Sequence, residues 1–90
     1  MVVTDGDGLP LAAAGDQVTC DEVAARMCHA RVPELSCTLL GAGTRWDVQM
    51  RKIVVDGSEL LVCAVGGTAQ QRKKQIARGA EGAARILNAA

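Results

Sequence analysis

The sequence predicts an α/β fold in the order β-β-α-β-β-α, and three observations predict it. Two Asp-Gly turn signals, Asp5-Gly6-Asp7-Gly8 and Asp56-Gly57, stand between short runs rich in Val and Leu. Trp46, Val48 and Met50 alternate with Arg45, Asp47, Gln49 and Arg51, the period of a half-buried strand. Two stretches, one after Gly15 and one after Thr68, space their small and apolar residues three and four apart, as a helix requires.

The first hairpin joins Val2-Val3 to Leu9-Pro10-Leu11 through Thr4-Asp5-Gly6-Asp7-Gly8. A calcium loop beginning at Asp5 would place Leu9, Pro10 and Asp16 at its fifth, sixth and twelfth positions. It would lack the turn glycine and the bidentate glutamate, so the cluster is expected to be a turn. Pro10 has no N–H to donate, which places the second strand at an edge or turns that position outward. Thr19 and Glu22 have capping-box spacing, so a helix is expected from about Cys20 to Arg31, with Val23, Ala24, Met27, Cys28 and Ala30 as its stripe. Pro33 then breaks this helix or begins a second short one carrying Leu35, Leu39 and Leu40, which Gly41-Ala42-Gly43 stops. Beyond Met50 the apolar phase shifts to Ile53 and Val55, so a bulge or twist is expected near Arg51-Lys52. Leu60 to Val65 is an unbroken apolar run suited to a central strand.

In the closing helix Ile76, Gly79, Ala80, Ala83, Ala84, Leu87 and Ala90 form one stripe. Gly79 and Gly82 each cost roughly 1 kcal/mol relative to alanine there. Close approach of this helix to a sheet would offset that. Arg72, Lys73, Lys74, Arg78 and Arg85 fall on its remaining surface and read as a solvated charged face rather than a phosphate site.

The 90 residues make one domain, 1–90, whose ten acidic and ten basic side chains cancel. That balance gives no electrostatic case for nucleic acid or a membrane surface, and the lack of a long apolar span or signal-peptide pattern points to a cytoplasmic protein. Hydrophobic residues make up 49% but aromatic ones only 1%, so the core must be built of small side chains that bury little area each. Such a domain favours oligomerisation. Cys20, Cys28, Cys37 and Cys63 include no Cys-x-x-Cys pair and read as buried free thiols. A metal- or thiol-based binding module would need Cys20, Cys28, His29 and Cys37 to converge, and that alternative stays open at this level. No phosphate-binding loop, nucleophile elbow, zinc-protease motif or carboxylate pair is present. His29, the single histidine, diverges from its neighbour Cys28 by about 100° on a helix, too far for a nucleophile–base pair. The chain is therefore expected to be no enzyme, to need no cofactor, and to bind other proteins.

Val2 to Gly15, reading VVTDGDGLPLAAAG, followed by an alanine-bearing helix, VQMRKIVVDGSELLVCAVGG and an amphipathic closing helix, resembles the Roadblock / dynein light chain domain family. The most specific part of the resemblance is Gly8-Leu9-Pro10-Leu11; the rest is a hydrophobic pattern over most of the chain. It implies a two-layer α/β sandwich related to longin and profilin-like domains. It also implies dimers in which third strands pair edge to edge and second helices lie side by side. The family's usual first helix is not matched here, which the resemblance implies is either a short variant or a chain from which that helix has been removed; in both cases part of one sheet face beside the closing helix is expected to be left for another chain to cover. The implied function is that of a noncatalytic homodimeric scaffold or regulator, whose partner is a small Ras-like GTPase or a motility or polarity complex. The interface residues it points to are Trp46, Val48 and Met50 on the pairing strand and Glu22, Arg26 and His29 on the helix.

Overall fold

In the computed structural model, which describes the backbone of residues 1–41 and 43–88 and the side chains of 1–41 and 43–85, the chain is an α/β fold around a five-stranded antiparallel sheet. The expectations for Ala42, Ala90 and the side chain of Leu87 lie outside the described residues. The elements are β1 (Val2–Asp5), β2 (Pro10–Ala13), α1 (Gln17–Met27), β3 (Glu34–Gly41), β4 (Thr44–Val55), β5 (Ser58–Val65) and α2 (Ala69–Asn88). The strand order is β2-β1-β5-β4-β3.

The Asp5 cluster is a turn held by its own side chain. Asp5 Oδ1 accepts from the N–H of Asp7 and of Leu9, each at 2.9 Å. Both bonds stabilise the loop because an aspartate side chain can mimic the backbone of a turn. Pro10 begins β2, an outer strand in which its missing donor costs nothing. At the second turn Asp56 and Gly57 both take positive φ, 51° and 80°, the requirement of a two-residue hairpin.

Three local expectations are corrected. Helix α1 starts earlier than Cys20 because its N-cap is Asp16, whose carboxylate takes the Thr19 N–H at 2.9 Å and the Thr19 hydroxyl at 2.7 Å. It also ends earlier, at Met27 with Cys28 as C-cap, rather than at Arg31. Residues 34–41 form a strand and not a second short helix, so the observed order is β-β-α-β-β-β-α. Leu35 and Leu39 do stand one helical turn apart, but Leu35, Cys37 and Leu39 are half-buried while Glu34, Ser36, Thr38 and Leu40 are exposed, a period of two.

No bulge interrupts β4, which keeps one register with β5 from Val48–Val65 to Val55–Ser58. The phase change has a different cause. Trp46, Val48 and Met50 face α1, together with Val2, Leu61 and Cys63 of the sheet and Val23, Ala24 and Met27 of the helix. Ile53 lies on the other side with Val3, Val62, Ala64 and Ile76 of α2. Alternate residues of β5 thus belong to different cores, and each helix makes a helix-on-sheet layer with its own face. The apolar run Leu60–Ala64, buried throughout, is what a strand covered on both sides needs.

Gly79 lets α2 approach the sheet. A Cβ there would stand 2.8 Å from Val62 Cγ1, whereas a Cβ at Gly82 would meet no atom within 4 Å. The two glycines therefore separate in their response to alanine. Gly82→Ala should stabilise the protein by up to about 1 kcal/mol through helix propensity. Gly79→Ala should destabilise it by roughly 1–2 kcal/mol, because overpacking outweighs the same propensity gain. Urea unfolding of the two variants is the measurement, and equal shifts would contradict the packing of α2.

Candidate functional site

The two sheet margins differ in how they meet solvent. β2 has four residues, starts with a proline and is irregular against β1 between Val3 and Thr4, all features that blunt an edge. β3 has eight residues, contains no proline and pairs with β4 alone. The direction of its backbone groups follows from one bond. Lys52 N–H donates to Pro33 O at 2.8 Å, continuing the β3–β4 register and fixing that pair as hydrogen-bonded. Antiparallel pairs alternate, so Leu35–Met50, Cys37–Val48 and Leu39–Trp46 are hydrogen-bonded as well. The N–H and C=O groups of Glu34, Ser36, Thr38 and Leu40 then point to the open edge. A row of such groups is a template for another strand.

One of these groups is occupied. Arg26 Nη1 donates to Leu40 O at 2.7 Å, while its Nε donates to Glu22 Oε1 at 2.9 Å, with Nη2 2.7 Å from the same oxygen. Glu22 and Arg26 are one helical turn apart on α1, the spacing at which a carboxylate can hold a guanidinium in place. Beside them Trp46 lies over Gly41, where a Cβ would sit 2.7 Å from the indole ring, so glycine leaves room for the ring at the end of the hairpin. These residues border a hollow of about 450 Å³ that extends to Asp16, Val18 and Thr19 at the start of α1.

The predicted interface residues divide accordingly. Glu22 and Arg26 stand beside the open edge, and His29 is exposed just past the α1 C-cap. Trp46 is half-buried. Val48 and Met50 are 1% and 0% exposed, and their strand β4 is bonded to β3 on one side and β5 on the other. The expectation that this strand pairs across a dimer is therefore corrected: the open edge belongs to β3, whose Ser36 and Thr38 the sequence reading passed over. Their alternation with Leu35, Cys37 and Leu39 was the available signal.

A second surface lies beside α2. Val3, Leu11, Leu60, Gly79, Gly82 and Ala83 line an apolar groove of about 280 Å³ with Arg78 at its border. Leu11 is 53% exposed there, a large apolar side chain that the chain's own core does not cover. At the start of α2 Thr68 and Gln71 form a reciprocal capping box, and Arg72 Nη1 donates to the carbonyls of Gly66 and Gly67 at 3.1 and 2.7 Å. Arg72 thus ties the strand-to-helix turn and is not part of a free cationic face.

The thiols do not converge. Cys20 Sγ lies near the carbonyls of Met1 and Ala14, and Cys28 Sγ donates to Ala25 O at 3.1 Å. Among the described residues no three His, Cys, Asp or Glu side chains are placed to hold a metal ion. Cys63 is fully buried at the sheet centre, and burial pushes its thiol up to about 12 from the ordinary 9.0. An unfolded chain releases this proton near the ordinary value while the folded chain retains it. The unfolded state then binds fewer protons across that interval, and stability falls as pH rises. The expected slope is up to about 1.4 kcal/mol per pH unit above pH ~9. Urea titrations from pH 8 to 11 should show it, and Cys63→Ala should remove it.

Among the described residues no helix is long and apolar enough to cross a membrane. Searches against models of protein families, curated proteins and solved structures find no match to this chain.

Proposed function

We propose that this protein is a noncatalytic homodimeric scaffold or regulator of the Roadblock-like kind, which binds a partner such as a small Ras-like GTPase or a motility or polarity complex in the cytoplasm. The observation that carries the proposal is the open edge of β3, with backbone groups of Glu34, Ser36 and Thr38 directed outward. In the resembled family the third strands pair edge to edge, and the third strand of this chain is the one left open. The small-side-chain core supports the same reading, since pairing adds burial that a 90-residue chain lacks by itself. The apolar groove beside α2 gives the dimer a separate surface for the partner protein. Any nucleotide chemistry belongs to that partner.

The test is sedimentation equilibrium at micromolar concentration, where a dimer of the 9.3 kDa chain is expected. A monomer throughout that range overturns the proposal.

A further inference from the structure

We infer that Arg26 selects the register in which two β3 edges pair; the inference rests on the dimer proposed above. In an antiparallel pair of copies, the outward-facing residues Glu34, Ser36, Thr38 and Leu40 form the hydrogen-bonded pairs between chains. Of the registers that keep Glu34 paired, two use this set well. The first pairs Glu34 with Thr38, Ser36 with Ser36 and Thr38 with Glu34, and leaves Leu40 out. The second pairs Glu34 with Leu40 and Ser36 with Thr38, each taken twice by symmetry, and so gains one more pair.

The second register needs the Leu40 carbonyl of both copies, and Arg26 already holds it at 2.7 Å. Forming it makes the Leu40 oxygen accept from the guanidinium and from the Glu34 N–H of the other copy together, which crowds two donors at one acceptor and weakens the charge-assisted bond in each chain. Side chains favour the same choice. The first register carries Leu40, 69% exposed, toward Val32 of the other copy, 43% exposed. The second sets Leu40 opposite Glu34, a carboxylate already paired with Arg51. Arg26, held by Glu22, therefore ends the partner strand at Thr38.

Cysteine geometry distinguishes the registers. In the second, Cys37 stands opposite Cys37 in a non-hydrogen-bonded pair, with Cα atoms about 4.5 Å apart, within disulfide range. In the first it stands opposite Leu35, and the two Cys37 are diagonal at roughly 7–8 Å, beyond that range. There Ser36 faces Ser36 at about 5.5 Å, so a cysteine at this position can be bridged.

The experiment treats the Cys28→Ser protein with diamide and maps linked peptides, alone, with Arg26→Ala, and with Ser36→Cys plus Cys37→Ser. Sedimentation equilibrium is run on the same samples. With Arg26 present the chain should link through Ser36→Cys and not through Cys37. Arg26→Ala should raise Cys37–Cys37 linkage by at least about tenfold, the change expected when the paired cysteines move from out of range to in range. Dimers that link Cys37 equally with and without Arg26, or that show no such rise in Arg26→Ala, overturn the role of Arg26 and leave the dimer standing. Monomers in every sample overturn the dimer and the inference together.

Discussion

Proline at Val48 should destabilise the fold severely. Val48 is 1% exposed in the middle of β4, and the β3–β4 alternation directs its N–H to Cys37 O. Proline removes that donor, places its ring against the neighbouring strand and discards a buried side chain of the core that also holds Val2, Val23 and Met50. The combined cost is about 3 kcal/mol or more. Domains of this kind hold only roughly 5–15 kcal/mol in total, and this one is small. Circular dichroism with urea titration should show a large loss of midpoint or no cooperative transition. A midpoint like that of the unsubstituted protein would contradict the central place of β4.

Proline at Ser36 should do the opposite: leave the fold and remove the dimer. Ser36 is exposed, and its N–H points away from β4, so the monomer loses no ladder bond. Leu35 is already extended, as the residue before a proline prefers. Monomer stability should change by less than about 1 kcal/mol. Between two copies Ser36 is central, and both lose a donor and gain a ring at the contact. A penalty of about 3 kcal/mol weakens association by roughly two orders of magnitude. Sedimentation equilibrium together with a urea curve separates the effects. Unchanged association would place the interface elsewhere on the molecule.

These two substitutions also mark where the sequence was legible. The turns at Asp5-Gly8 and Asp56-Gly57 follow from local backbone chemistry, and both are found where read. The Leu60–Val65 run is a central strand, and α2 carries its small residues where the sheet comes close, as Gly79 shows. β3 was misread because Leu35 and Leu39 satisfy a helical spacing and a strand alternation at once, and Pro33 suits the start of either. A helix at 34–41 would have left β4 as the pairing edge. The change of phase at Ile53 was visible, but its cause was not: which helix covers which part of a strand is a tertiary fact. The Arg26–Leu40 bond joins α1 to the far margin of β3, and no local pattern announces it.

The strand order has a consequence for assembly in time. β3, β4 and β5 follow one another in sequence and pair as neighbours, so they need only short loops to close. β1 pairs with β5, bringing Val2 against Cys63 across most of the chain. On the ribosome the first hairpin therefore emerges long before the strand that receives it exists, and the edge of β1 that will pair with β5 waits open. The whole sheet becomes continuous only when β5 joins β1 to β4, and α2, which follows β5 in the chain, can cover Val3, Val62 and Ala64 only after that.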